Sequence, residues 1–299
     1  MQTQLKIAFS IAILAVAASP LYAARAMKDF HNTLDSPQER LRQRQQYTQS
    51  LTEKGWEGRS EQVKNANPAM WPITPAMGKL DDVSWLDLHT KLVEHVRANK
   101  GPIDILLVGD SMTQQWGSVI NDLPLNAAWQ KNFAKYKTLN IGISGDKTEN
   151  VLWRIEHGAI EGLQPRLVVL LVGTNNRFGV PETGSEAVAK GIELCAKNIR
   201  KKLPQAEVLV VKVFPADAPE SNDYKYIKQI NKSLDRLKLS RDPKVHVLDL
   251  WNQMVDRDGR IKKELFLDKT HLSQSSGYGM YAARLKPIVE KILGKKTAK

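Results

Sequence analysis

The feature that most limits the fold is a set of short runs rich in valine, isoleucine and leucine, which alternate with longer amphipathic stretches after residue 83. Such runs are typical of strands buried on both faces, and their alternation with helices favours a parallel sheet covered on both sides. The sequence therefore predicts a three-layer α/β/α domain. The predicted strands are Ile103–Val108, Thr138–Ile141, Leu167–Val172, Val208–Phe214 and Val245–Leu250. The predicted helices are Trp85–Asn99, Lys147–His157, Ser185–Leu203, Asp223–Leu239 and Ser276–Leu293.

The N-terminus resembles an export signal. Lys6 precedes an apolar run from Ile7 to Ala18, and small residues follow, ending at Ala24-Arg25-Ala26. This order is typical of a secretory signal peptide. A retained membrane anchor is the alternative, but about 20 apolar residues are needed to span a bilayer and this run is shorter. We therefore expect a signal peptide at residues 1–26 and a protein without a stable membrane anchor, secreted to the periplasm or the medium.

Residues 27–80 have a different character from the rest of the chain. Ser36-Pro37-Gln38-Glu39 combines an N-cap, a proline at the first helical position and a glutamate that closes a capping box. This pattern predicts a helix from about Pro37 to Lys54. Prolines within Asn65–Lys79 indicate an irregular connection. We expect a helical N-terminal extension at 27–80, followed by the main domain at 81–299.

The chain is basic, with a formal net charge of +12. An anionic polymer or surface is a plausible neighbour. The basic residues are dispersed, however, without the aromatic interleaving or fold motif of nucleic-acid binding, so we expect no nucleic-acid partner. A solvated basic surface is the simpler interpretation. The sequence leaves the oligomeric state open.

The sequence contains no pattern that is typical of a metal or cofactor site. Cys195 is the only cysteine, which excludes an intramolecular disulfide and a cysteine-built zinc site, and we interpret it as a small buried hydrophobic residue. G-x-G-x-x-G and G-x-x-x-x-G-K-[ST] phosphate-binding loops are missing. We therefore predict no metal and no cofactor. Five histidines lack metal-ligand spacing and are interpreted as structural, namely His31, His89, His95, His157 and His246.

A serine follows the first predicted strand in Gly109-Asp110-Ser111. Glycine allows a tight turn there, and the turn would present the serine at the carboxyl end of the strand, where doubly wound sheets build their sites. Ser111 is therefore a candidate nucleophile. The alternative is an ordinary helix N-cap, for which serine is a favoured residue.

Later loops contain groups that could complete such a site. Gly142–Asp146 and Gly173–Asn176 each follow a strand and offer backbone or amide donors suited to an oxyanion hole, although turn chemistry alone would also explain them. Asp268 lies three residues before His271, so its carboxylate could bond the histidine Nδ1–H, leaving Nε2 to accept a proton. A capping role in a solvated loop is the alternative. The Ser111 turn, these two loops and the Asp268–His271 segment occur in this order along the chain, and all are expected at one edge of the predicted sheet. This arrangement favours a joint catalytic role.

Together these residues resemble the SGNH (GDSL-type) hydrolases, which implies a flavodoxin-like fold with a five-stranded parallel sheet. The resemblance is closest to the catalytic subunits of type I platelet-activating factor acetylhydrolase and their bacterial relatives, and includes Val151–Gly158 and Val172–Asn176. It implies Ser111 as nucleophile, with Asp268 and His271 completing a triad. It also implies an oxyanion hole formed by the backbone N–H groups of Ser111 and Gly145 and by the Asn175 side chain. Many members have aspartate where this chain has Asn176, so the role of that position stays open.

The resemblance implies a serine esterase acting on small acyl esters. Acetyl esters are favoured, and an exported enzyme could meet O-acetyl groups on carbohydrate. A lysophospholipase or other lipid esterase is the main alternative, and an acyltransferase would use the same residues. A non-catalytic protein that binds an anionic polymer is the alternative from another class.

Overall fold

The computed structural model describes residues 83–99, 101–119, 123–178 and 184–294. The predicted signal peptide and the predicted N-terminal extension with its helix at Pro37–Lys54 lie outside these residues. Both remain predictions, as does the domain boundary near residue 81.

Five parallel strands form one sheet in the order β2-β1-β3-β4-β5. This is the strand order of flavodoxin-like folds, so the predicted fold class is confirmed. The register aligns Leu107 of β1 with Val169 of β3, and Val169 with Leu209 of β4. The strands are β1 Ile105–Gly109, β2 Thr138–Asn140, β3 Leu167–Leu171, β4 Glu207–Val211 and β5 Val245–Leu248.

Helices cover both faces of the sheet. On one face α4, α5 and α6 lie side by side, and α1 contacts α4 through the rings of Trp85 and Trp153. On the other face α8 packs against α3 and β3. None of these described helices is both long and apolar enough to cross a bilayer. The α-helices are α1 Val83–Ala98, α2 Ser111–Gln114, α3 Ala127–Phe133, α4 Thr148–Glu156, α5 Ser185–Lys202, α6 Asn222–Arg236, α7 Trp251–Met254 and α8 Ser276–Leu293.

The apolar runs form the core because both faces of each central strand are covered. Every residue of β1 and β3 is buried. Alternate strand residues such as Ile105 and Leu107 pack with the aromatic side chains of Trp129 and Tyr281 in one cluster on the α3–α8 side. Cys195 is buried on α5, as predicted, and burial raises the pKa of its thiol.

The predicted elements differ from the observed ones mainly at their ends. β4 stops at Val211 instead of Phe214, because the side chain of Asn231 on α6 bonds both backbone groups of Val213 and takes the place of a neighbouring strand. The sequence prediction also missed α2, α3 and α7. These helices have four to seven residues, too few to show a clear 3.6-residue period.

Candidate active site

Ser111 is the first residue of α2, directly beyond the carboxyl end of β1. Asp110 is the N-cap, and its Oδ1 accepts a hydrogen bond from the Met112 backbone N–H at 3.0 Å. The interpretation of Ser111 as a helix cap is therefore wrong, because Asp110 performs that role. The Ser111 side chain is left available for another partner.

The turn before Ser111 requires glycine at position 109. A Cβ atom on Gly109 would lie 2.0 Å from the Leu171 carbonyl oxygen and 2.3 Å from Thr113 Oγ1, closer than van der Waals contact allows. The backbone of β1 thus passes tightly against β3 as it enters α2. This close approach fixes where the helix begins and hence where Ser111 lies.

His271 and Asp268 lie next to Ser111 in space, although 160 residues of sequence separate the serine from the histidine. Ser111 Oγ is 3.1 Å from His271 Nε2, and His271 Nδ1 is 2.8 Å from Asp268 Oδ2. With the ring proton on Nδ1, that nitrogen donates to the carboxylate and Nε2 accepts from the serine hydroxyl. The structure therefore brings the three predicted triad residues into one hydrogen-bonded chain.

Asp268 also organises the loop that carries His271. Its Oδ1 accepts hydrogen bonds from the backbone N–H groups of Thr270 and His271, each at 2.7 Å. Partial burial raises the pKa of Asp268, but these hydrogen bonds and the His271 side chain outweigh it, so the net pKa is lowered. The side chain therefore stays a carboxylate, the form that can accept from Nδ1.

The predicted oxyanion donors lie around the loop between β2 and α4, residues 141–147. Within the described ranges, the backbone N–H groups of Ser111 and Gly145 have no hydrogen-bond acceptor. Asn175 Nδ2 donates to the Asp146 carbonyl oxygen at 3.0 Å, which holds this amide against the Asp146–Lys147 peptide and leaves its second N–H available. Gly145 has φ +85°, and no described atom lies within 4 Å of where its Cβ would be. The site therefore offers donors beside open space.

A buried ion pair lies behind these donors. The Arg154 guanidinium contacts Asp146 Oδ2 through Nε and Nη2, both at 2.7 Å, and the two side chains are at most 1% exposed. Arg154 also donates to the carbonyl oxygens of Ile141 at 2.9 Å and Gly109 at 3.3 Å. One side chain thus joins the end of β1, the end of β2 and the loop containing Gly145.

Burial changes the protonation of two carboxyl groups beside the site. It raises the pKa of Asp146 to about 6, although Arg154 and the Trp85 indole N–H oppose the change. It also raises the pKa of Asp110 to about 7, opposed by the Met112 N–H. Asp110 is thus largely protonated below neutral pH, which lessens the negative charge next to Ser111, where an oxyanion would form.

Asn176, whose role the sequence left open, anchors the start of α4. Its Oδ1 accepts from the Thr148 backbone N–H at 3.1 Å, and its Nδ2 donates to Glu149 Oε2 at 2.9 Å. The neighbouring Arg177 donates through Nη2 to Thr270 Oγ1 at 2.8 Å, inside the loop of Asp268 and His271. These contacts tie the Asn175 loop to α4 and to the triad loop.

The sequence patterns predict no role for Arg154 or Arg177. Arg154 lies in the Val151–Gly158 stretch that resembles the acetylhydrolase subgroup, but this resemblance does not indicate what the side chain does. Arg177 had no comparable signal.

Three of the four described histidines outside the triad have structural contacts, and the fourth, His95, is exposed on α1. His31 lies outside the described residues. The His89 ring packs edge-on against Trp153, with ring centroids 4.9 Å apart, and burial lowers the pKa of His89 to about 3. His157 stacks on the same indole with ring centroids 3.9 Å apart, and His246 bonds Glu207 across β5 and β4. In the described parts of the chain, no three His, Cys, Asp or Glu side chains are grouped as a metal site would require.

Comparison with known proteins gives the family. A sequence model of the GDSL-like lipase/acylhydrolase family matches residues 107–277, which contain Ser111, Gly145, Asn175, Asp268 and His271. The chain belongs to this family. It is therefore an ester hydrolase, and the alternative of a non-catalytic binding protein is set aside.

The chain is also similar to curated relatives over most of their length. It is 32% identical to human platelet-activating factor acetylhydrolase IB subunit alpha1 over 227 residues, 76% of this chain and 91% of that protein. It is 34% identical to the alpha2 subunit from Rattus norvegicus over 230 residues, 77% of this chain and 92% of that protein. The predicted resemblance to these subunits is confirmed.

A solved structure supports the fold. A GDSL-like lipase from Bacteroides thetaiotaomicron superposes with a TM-score of 0.56 at 19% identity, covering 68% of this chain and 97% of the other. This likeness supports the doubly wound fold described above.

Proposed function

We propose that the protein is a secreted serine esterase that removes small acyl groups, acetyl above all, from O-acetylated carbohydrate. The observation that carries the catalytic part is the hydrogen-bonded chain from Ser111 Oγ through His271 to Asp268, with distances of 3.1 Å and 2.8 Å. A hydroxyl at this distance from an imidazole nitrogen can transfer its proton as it attacks a carbonyl carbon.

The first half of the reaction forms an acyl-enzyme. His271 Nε2 accepts the Ser111 proton while Oγ bonds the ester carbonyl carbon, and the carbonyl oxygen becomes an oxyanion. The N–H groups of Ser111, Gly145 and Asn175 donate to that oxygen. His271 then gives its proton to the alkoxy oxygen, the carbon–oxygen bond of the ester breaks, and the alcohol leaves.

The second half releases the acid. His271 removes a proton from a water molecule as the water oxygen attacks the acyl carbon, and the same donors stabilise the second oxyanion. His271 returns the proton to Ser111 Oγ when the acyl–serine bond breaks. Asp268 remains ionised throughout and stabilises the imidazolium.

The acyl group is inferred from the relatives, which are named acetylhydrolases and cover about three quarters of this chain. The carbohydrate part follows from the predicted export, because a secreted enzyme would meet acetylated polysaccharides. A panel of p-nitrophenyl esters of rising chain length, with acetylated xylan and lysophosphatidylcholine, tests both. We expect kcat/KM to be highest for acetate and acetic acid to be released from xylan. Preference for long acyl chains, with xylan untouched, would overturn the substrate assignment.

A lipid ester is the second candidate. Leu267 is 66% exposed directly beside Asp268 in the chain. An exposed leucine next to a triad residue can contact an acyl chain. The protein would be a lipid esterase if it released fatty acid from lysophosphatidylcholine faster than it released acetate from xylan.

Transfer of the acetyl group to an added sugar, in place of water, would identify an acyltransferase.

Asn175→Ala is expected to lower kcat for p-nitrophenyl acetate by on the order of 10²–10³, because one oxyanion donor is lost. Ser111 should still react with a fluorophosphonate, since the nucleophile and its base remain. Steady-state kinetics and a labelling assay measure the two effects. Asn132→Ala is the control, because its amide bonds only the Ala128 carbonyl on α3 and it should keep full activity. Equal activity of both variants would remove Asn175 from the oxyanion hole.

Export predicts that the mature protein begins near residue 24 to 27. Intact-mass measurement of the protein recovered from the periplasm or the medium checks this, because removal of residues 1–26 lowers the mass by a defined amount. A mature protein that still began at Met1 would contradict the signal peptide.

Activity is expected to survive EDTA and exhaustive dialysis, because every step above uses only side chains and backbone of the chain. Hydrolysis of p-nitrophenyl acetate before and after chelation measures this. Activity that was lost and then restored only by a divalent ion would contradict the proposed mechanism.

A further inference from the structure

A basic groove of about 490 Å³ lies between α6 and α7, beside the carboxyl ends of β4 and β5. One wall is formed by α6 and the other by the start of α7. We call it the lysine groove. Six residues that form its walls are Lys225, Lys228, Gln229, Lys232, Trp251 and Asn252.

The lysines share one face of α6. Lys225, Lys228 and Lys232 are spaced three and four residues apart, so their attachment points follow each other along the helix at about 4.5 Å and about 6 Å. Among the described residues, none of the three has a carboxylate within ion-pair distance, whereas Lys190 and Lys197 on α5 both pair with Glu193. Their charges are therefore available to a ligand.

The two acidic residues of the groove are both paired with one buried lysine. The Lys212 side chain is only 9% exposed, and its Nζ lies 2.6 Å from Asp235 Oδ1 and 2.8 Å from Asp249 Oδ2. These two carboxylates therefore face a buried ammonium group at the base of the groove. The walls keep a net positive charge that would attract an anion.

Trp251 gives the groove an aromatic surface. Its indole is half-buried and packs edge-on against Tyr224, with ring centroids 5.1 Å apart, and the Tyr224 hydroxyl donates to the Gly259 carbonyl oxygen. The indole is thus held in place beside the amides of Gln229 and Asn252. An aromatic ring with amides beside it suits a sugar ring and its hydroxyls, and the lysines suit carboxylates on that sugar.

The helix that carries the lysines also contacts the active site. Asp223, in the first turn of α6, accepts from Arg177 Nε at 3.0 Å, and Arg177 Nη2 donates to Thr270 Oγ1, next to His271. Lys225 is two residues beyond Asp223 and lies on another side of the helix. The same helix thus contacts the triad loop at its first turn and carries the groove lysines on a different face.

We propose that the lysine groove binds the anionic backbone of an acidic polysaccharide, such as a polyuronate, whose O-acetyl esters are the substrate. The proposal rests on the proposed function for the hydrolytic step only. Binding of the backbone itself requires the groove but not the triad, so the two can be tested apart.

Binding is tested with a fluorescent oligogalacturonate and the full chain carrying Ser111→Ala, which prevents hydrolysis. Changing Lys225, Lys228 and Lys232 together to glutamine is expected to raise Kd by on the order of 10-fold, since each lysine contributes one exposed ion pair. The control changes Lys91, Lys201 and Lys291 to glutamine. It removes the same charge from other helices and should change Kd less than about 2-fold, by the same reasoning. Circular dichroism confirms that both variants are folded.

Specificity is tested with the carboxyl-reduced oligosaccharide, which keeps the sugar ring but not the charge. We expect it to bind weakly, and we expect salt to weaken binding of the charged form. Equal loss of affinity in the two triple variants would overturn the proposal. Equal affinity for the charged and the carboxyl-reduced oligosaccharide would also overturn it. So would tighter binding of an oligonucleotide, or of anionic lipid vesicles, through the same lysines.

Hydrolysis gives an independent readout with the wild-type triad. The groove variant should show a raised KM for acetylated polygalacturonate, with its kinetics on p-nitrophenyl acetate unchanged. If no ester is hydrolysed by the wild-type protein, the proposed function fails while the binding result stands. If esters are hydrolysed but the KM for the acidic polymer does not change, the groove proposal fails alone.

Discussion

Ser111→Ala is expected to lower kcat for ester hydrolysis by on the order of 10⁴–10⁶, and His271→Ala by a similar factor. The two groups act as one unit, because the hydroxyl is a weak nucleophile without the base and the base has nothing to activate without the hydroxyl. The double variant should therefore be no slower than either single variant. Steady-state kinetics with p-nitrophenyl acetate measures all three.

Two further variants define the control and the intermediate case. Ser144→Ala changes an exposed side chain in the loop between β2 and α4. Among the described contacts, Ser144 bonds Gln114 Oε1 through its backbone N–H, which the variant keeps, so it should retain nearly full activity. Asp268→Asn should lose less than Ser111→Ala, because the amide still bonds the imidazole but no longer stabilises its cation. If Ser111→Ala were close to wild type, the nucleophile would lie elsewhere.

Arg154→Met is expected to lower the free energy of unfolding by about 3–5 kcal/mol, because it leaves the Asp146 carboxylate buried without its cation. It should also lower kcat, since the Gly109 and Ile141 carbonyl groups and the Asp146 loop lose their common partner. Urea denaturation and steady-state kinetics separate the two effects. Arg236→Met is the control, because its ion pair with Glu186 is exposed and should contribute about 1 kcal/mol or less.

A second substitution distinguishes stability from positioning. Adding Asp146→Asn to Arg154→Met removes the buried negative charge and should recover part of the lost stability. The rate should stay low, because no group then joins the end of β1 to the loop between β2 and α4. Recovery of both stability and kcat would show that the arginine acts on the fold alone.

The strands and the candidate triad could be predicted from the sequence because both depend on local patterns. A strand such as Leu167–Leu171 is apolar throughout because both of its faces are buried, and that need is visible in five consecutive residues. Ser111 and Asn175 could be located because parallel strands place their carboxyl ends at one edge. His271 could be located because Asp268 lies three residues before it, a spacing that lets the carboxylate bond the ring. The order of the motifs along the chain then indicated that they meet.

Tertiary structure alone decided which side chains hold that edge together. Asp110, not Ser111, caps α2, and this depends on how tightly β1 passes β3. Arg154 meets Gly109 across 45 residues of sequence, and α6 gathers its lysines beside Trp251 of a different helix. Neither contact is visible in the local sequence, because each depends on where distant segments pack. The sequence determines the apolar pattern and the chemistry of each loop, and packing of the helices on the sheet determines which of those loops share an ion pair, a hydrogen bond or a groove.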